Sequence, residues 1–519
     1  MRASANSYNG IGPSITGDAI TLRYYSSQHS TIHGGHPEMT SELKEKATRG
    51  VLWNMIEQLG IQGIKFILGI LLARLLSPSD FGLIGMVSVF FDLANVFTEG
   101  GLGIAYIQKP KVTQEDADTV FFTNLAASIF IFVALWFAAP AIASFYKQPL
   151  LVSLMRAMGL VVIINAFGII QLAQIKRMFD FKRKMKITLA STLISGSIGV
   201  LTAFRGLGVW SLVIQQLLNQ LLVTTAYALT NRWKPTFRYS VVSLRTMISV
   251  GIWELLSGLV ETFFSNIYVL TIGKFFSPTQ LGFYTKAHQL QSMVSNQLTG
   301  SIGSVAFPVL SRLQDDKNNL ENAIRRFIQN AFLLTVPSMG ILFVIARPFT
   351  SLFLTEKWLP MVPYLQLLCL TGFLYPMHVI NLQILTAKGK TRLSFNLSVV
   401  KGSLRILNIA ITYRWGLLYI IYGELVLSVV ALIINTHYTR KLIDYGLFKQ
   451  LRDVGKIIAA GAVSTGIVYS ITLRITNAWL ALFGGASMMA VIFLASELLI
   501  DRKVILDAWA LKKVILKRD

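Results

Sequence analysis

Five cations, Lys65, Arg156, Lys286, Lys401 and Arg405, sit inside long apolar runs of a 519-residue chain. A cation facing lipid at mid-depth costs about 2.5–3.5 kcal/mol or more, so such residues should face a polar cavity or a partner. Their neighbours point to a cavity. Asn54, Gln58, Gln62 and Lys65 recur at helical spacing, as do Lys401, Arg405, Asn408 and Thr412, so each set makes one polar stripe. Such stripes suit an anionic headgroup far better than an apolar drug. Arg156 and Lys286 lie nearer the ends of their runs, where snorkelling to the interface is the rival explanation. Acids are embedded as well: Glu57, Asp92, Glu99, Glu254, Glu261 and Glu424. The tasks open to them are proton or cation coupling, balancing the charge of the cavity, or interhelical ion pairs such as Arg405 with Glu424.

The elements that position these groups follow from composition. Apolar residues make up 53% of the chain and charged ones 14%, more apolar surface than a soluble domain of this length can hide. Runs of 18 or more apolar residues read as membrane helices, and the ten-residue alternation of an outer-membrane barrel is missing. The expected fold is all-α and polytopic, with about fourteen spans: 48–73, 82–108, 119–143, 150–175, 186–204, 207–230, 246–273, 281–308, 324–346, 361–387, 392–413, 415–438, 455–474 and 477–500. Alternate loops and the tail hold 33 of the Lys and Arg residues, against 8 in the opposite loops, which predicts both termini on the cytoplasmic face. The net charge of +23 is then a surface for anionic lipid rather than for nucleic acid.

The chain also repeats itself. Arg74, Ser77-Pro78 and Gly82 have counterparts 200 residues later in Lys274, Ser277-Pro278 and Gly282, and Trp53 falls on Trp253. Six spans separate the copies, so both share one orientation. The expected domains are a six-helix bundle over 39–240, a parallel bundle over 241–441, and two further helices with a basic tail over 442–519, around a central cavity. Residues 1–38 read as a disordered polar extension, with Met39 as the natural start; the His33–Pro37 cluster belongs to that tail and is not read as a metal site. Cys369 stands alone in an apolar run and is read as a packing residue. "KGKT" (Lys388–Thr391) has Ile384 where a phosphate loop needs Gly, so no ATPase, cofactor or metal is expected. The short outer loops leave no room for an enzyme domain.

"AYIQKPKVTQEDADTVFFTN", "AFPVLSRLQDD", "LTAKGKTRLSFNLSV" and above all "EKWLPMVPYLQLLC" (Glu356–Cys369) carry a resemblance covering residues 40 to 500. They resemble the oligosaccharide flippases of the polysaccharide transporter family, colanic-acid-exporter type, within the multidrug/oligosaccharidyl-lipid/polysaccharide exporter superfamily. The resemblance implies a two-lobed, non-enzymatic transporter in a bacterial inner membrane. It would move polyprenyl-pyrophosphate-linked oligosaccharide to the outer leaflet for polysaccharide or lipopolysaccharide biosynthesis, beside membrane lipids and a polysaccharide polymerase. It hands over no list of site residues. A multidrug or lipid II exporter of the same superfamily is the close alternative, and a membrane enzyme acting on lipid-linked sugars the distant one.

Overall fold

Pro78 and Pro278 each open a helix, at the position where a missing amide costs nothing. The serine before each proline accepts from the amide three residues on, Asp80 at 3.3 Å and Gln280 at 3.2 Å. The Asp80 and Gln280 side chains accept in return from the serine amides, at 2.8 and 3.3 Å, so both turns close as capping boxes.

A computed structural model describes residues 41–99, 101–231 and 233–500. The extension over 1–38, Met39 and the basic tail beyond 500 lie outside the described residues. The first repeat comprises α1 (Ser41–Leu75), α2 (Pro78–Glu99), the short α3 (Leu102–Gln108), α4 (Gln114–Tyr146), α5 (Leu151–Arg177), α6 (Phe181–Phe204) and α7 (Trp210–Thr230). The second comprises α8 (Val241–Phe275), α9 (Pro278–Arg312), α10 (Lys317–Phe349), α11 (Val362–Ala387), α12 (Thr391–Thr412) and α13 (Leu417–Ile443). α14 (Leu447–Thr472) and α15 (Ala478–Ile500) follow. Among the described residues there is no strand.

Among the described residues, twelve helical stretches are long and apolar enough to cross a membrane, where the sequence led us to expect fourteen. The two that fall short are α9 and α12. They carry Lys286 and His288, and Lys401 and Arg405, so the polar content that drew attention to them also lowers their hydropathy. One expected run is interrupted, and another matches its helix but is preceded by a further segment. The run over 82–108 is broken between α2 and α3, where the sequence places Gly100 and Gly101, poor residues for continuing a helix. The run over 361–387 is preceded by a 3₁₀ segment, Glu356–Met361.

Packing within the two repeats corresponds: α4 on α5 as α10 on α11, α1 on α6 as α8 on α12, α6 on α7 as α12 on α13. The repeats meet through α2 and α9. A Cβ on Gly82 would stand 1.8 Å from the Pro278 carbonyl oxygen, and one on Gly282 would stand 1.8 Å from that of Pro78. Only glycine allows this reciprocal approach. Around it lies the principal apolar cluster, with Met86 and Tyr146 from the first repeat and Leu281, Tyr284 and Trp358 from the second. A separate cluster fastens α14 and α15 to α10 and α11.

Polar contacts reinforce the same end. Arg74, ending α1, donates to the carbonyls of Phe353 (2.8 Å) and Leu352 beyond α10. Its repeat partner Lys274, ending α8, donates to the Phe145 carbonyl at the end of α4 (2.7 Å). Each cation thus caps a helix C-terminus of the other repeat, where carbonyls are unpaired and the dipole is negative. Trp358 is fully buried, donates to the Ala73 carbonyl (2.8 Å), and meets Phe81 and Phe283 edge-on. Lys357 donates to the Arg74 carbonyl (2.7 Å). Thr355 before them takes φ 81°, a region that a β-branched residue occupies only where its surroundings impose it.

The opposite end is organised differently. Arg177 donates to the carbonyls of Lys109 (2.6 Å) and Pro110 (2.7 Å), and Lys388 to that of Gln314, so these caps stay within one repeat. The linker before α8 is tied to α4: Thr236 donates to Asp118, the Ser240 amide to Thr119 (3.0 Å), and Ser243 to Asp116 (2.6 Å).

Candidate functional site: a cationic cleft between the repeats

The two repeats are not equally joined along their seams. On one side α2 packs along α8, with Gly258 set tightly against Val96. On the other, α1 and α9 flank a cleft of about 410 Å³. Lys65 and Gln62 line it from α1, and Lys286 and Gln289 from α9. At 1.5 Å per residue, Lys65 lies about 15 Å and Lys286 about 12 Å from the Ser-Pro end of its helix, near mid-depth of a ~30 Å hydrocarbon core.

The two lysines differ in state. Lys286 is 4% exposed, donates to the Gly69 carbonyl (3.1 Å) and lies over the Phe81 ring. It does not snorkel; it reaches across to α1 and closes the top of the cleft. Lys65 is exposed to the cleft and, among the described residues, has no ion-pair or hydrogen-bond partner. A free ammonium beside a half-satisfied one can hold an anion with two charge-assisted contacts.

Lys401 and Arg405 form a second group, on α12. Gly402 lets α12 sit directly on the Phe264 ring, and Arg405 donates to the Phe264 carbonyl (3.2 Å). Glu261 acts electrostatically on Lys401, and Arg405 on Glu424 and on the histidines 288 and 378. The Arg405–Glu424 ion pair weighed from the sequence does not form; Glu424 keeps one buried carboxylate oxygen without a hydrogen-bond partner. Asn408 beside them donates to the Ile420 carbonyl (3.2 Å) in the space left by Gly423.

The remaining candidates separate. Glu57 is buried in an ion pair with Lys184 at 3.0 Å. Arg156 stacks on Trp136 of the neighbouring α4, 4.6 Å from the ring centre, away from both cationic groups. Asp92 is exposed on α2 and interacts with Asn266 of α8, across the α2–α8 seam. The side chains of Glu99 and Glu254 lie outside the described residues. Reasoning from sequence missed the cross-repeat caps of Arg74 and Trp358, although the register of Arg74 with Lys274 was a signal. It also missed His378, which bridges Ser428 (3.1 Å) and Asn435 (3.2 Å) and has no spacing that marks it out.

The polysaccharide biosynthesis protein family matches residues 71–363, more than half of the chain. The chain belongs to that family. Among its relatives is the teichuronic acid biosynthesis protein TuaB of Bacillus subtilis, 26% identical over 69% of this chain and 74% of that one. The lipopolysaccharide biosynthesis protein WzxC of Escherichia coli is 23% identical over 76% and 80% of the two chains, and the succinoglycan biosynthesis transport protein ExoT of Rhizobium meliloti 24% identical over 65% and 69%. The fold is shared with an inward closed structure of the lipid II flippase MurJ, at a TM-score of 0.73 and 14% identity, covering 88% of this chain and all of that one. An inward-facing multidrug resistance transporter of the MATE family aligns at 0.60 and 16% identity, over 82% and 98% of the chains. This member of the family is therefore a polytopic helical membrane protein of transporter fold.

Proposed function

We propose that this protein flips a polyprenyl-diphosphate-linked oligosaccharide from the cytoplasmic to the outer leaflet of the bacterial inner membrane, by alternating access and without catalysing a reaction. The observation that carries this reading is the unpaired Lys65 facing Lys286 across a membrane-deep cleft. A diphosphate is a compact anion that such a pair complements, and an uncharged drug is not. Family membership and relatives named for polysaccharide biosynthesis support a glycan cargo. With the basic loops and both termini inside, the closed Ser-Pro end faces outward, and this state admits substrate from the cytoplasm. The domains are the two bundles, 39–240 and 241–441, with 442–519 appended. Lys401 and Arg405, in the field of Glu261 and Glu424, supply the second charged group through which an ion or proton is coupled. A polysaccharide polymerase takes the product on the outer face.

The test is complementation of a gene deletion, with lipid-linked oligosaccharide in the inner leaflet and protein abundance measured together. Lys65→Gln should lower flipping at least tenfold at normal abundance, since a charge-assisted bond is about twice as strong as a neutral one. Arg405→Lys should retain more flipping than Arg405→Gln. Full flipping by Lys65→Gln and Lys286→Gln alike would overturn the reading.

A further inference from the structure

Below the two lysines the cleft is lined by amides. Gln58 and Gln62 descend α1 from Lys65, and Gln289 and Asn296 descend α9 from Lys286. Because α1 runs toward the Ser-Pro end and α9 away from it, both walls place cation first and amides after it. The amides extend about 10 Å along α1 and about 15 Å along α9. Among the described residues none of these four side chains has a hydrogen-bond partner, and no carboxylate lines the cleft. An amide at membrane depth without a protein partner requires water or a ligand. Each carries donors and an acceptor, which matches a sugar hydroxyl, itself both donor and acceptor, whereas the lysines can only donate.

We propose that Gln58, Gln62, Gln289 and Asn296 bind the glycan, so that the substrate lies in one polarity: diphosphate toward the closed end, sugars trailing toward the open one. This rests on the diphosphate reading above. Unlike the lysines, the amides set which lipid is preferred, by rewarding hydroxyl groups that a bare lipid diphosphate lacks.

The experiment measures binding of two probes to the full chain in nanodiscs: undecaprenyl diphosphate, and the same lipid bearing two N-acetylhexosamine residues. The unmodified chain should prefer the glycosylated lipid by about tenfold. Gln58→Leu and Gln289→Leu, tested singly on the two walls, should each remove most of that preference and leave bare-lipid affinity unchanged. Lys65→Gln should weaken both probes equally. Absence of a preference in the unmodified chain, or its retention in both leucine variants, overturns the glycan assignment. A leucine variant that also loses the bare lipid overturns the separation of roles. Unchanged binding of both probes by Lys65→Gln overturns the underlying diphosphate reading instead.

Discussion

Lys184 reaches Glu57 at 3.0 Å, and the carboxylate is almost wholly enclosed while the lysine keeps some exposure. Removing one member of such a pair strands a charge, at a cost of about 3–5 kcal/mol, whereas replacing both by apolar groups is often neutral. Lys184→Met should therefore reduce abundance and melting temperature, and Glu57→Leu added to it should restore both; thermal unfolding in detergent checks this. Glu57 shares a helix with Lys65, yet only the lysine faces the cleft. Spacing made the polar stripe of α1 legible, because amides and a cation contrast sharply with apolar neighbours. It could not tell a carboxylate held by α6 from one facing the cavity, since the partner lies 127 residues away. Trp358 was hidden for the same reason: its acceptor is a backbone carbonyl, which carries no side-chain signature.

Among the elements, α2 and α9 depend on a contact that tolerates no side chain. Gly82→Ala drives a methyl group into the Pro278 carbonyl, and Gly282→Ala does the same at Pro78. Overpacking of this kind costs about 1–3 kcal/mol, which raises the population of the separated state by about fivefold or more. A cysteine at fully buried Leu281, in a Cys369→Ala background, should react faster with maleimide once either alanine is present. Unchanged labelling would mean that the helices accommodate the methyl without parting. The repeat was plain in the sequence, and so was the helix-opening role of its prolines. The purpose of its glycines was not, because the approach of one helix to another is a tertiary property. The count of spans differs for a plainer reason: α9 and α12 carry Lys286, Lys401 and Arg405, and by length and composition neither is apolar enough to be counted as a span.

For the whole molecule, the difference between its two ends decides how it can move. Cross-repeat caps gather at the Ser-Pro end, while the caps of Arg177 and Lys388 remain inside single repeats and travel with them. Opening the closed end must break the bonds of Arg74, Lys274, Lys357 and Trp358 together, and need not break the others. Their acceptors are the carbonyls of Phe353, Phe145, Arg74 and Ala73. A carbonyl has no proton to gain where carboxylates and imidazoles titrate. The Asp80 carboxylate accepts from the Ser77 amide and hydroxyl, within its own repeat. Reactivity of the cysteine at Leu281, corrected for thiolate content, should thus stay flat as the medium bathing the Ser-Pro end is acidified, while Arg74→Gln raises it at every pH. The hydrogen bonds that close the Ser-Pro end thus carry no titratable acceptor, and their strength does not follow the acidity of the space they face.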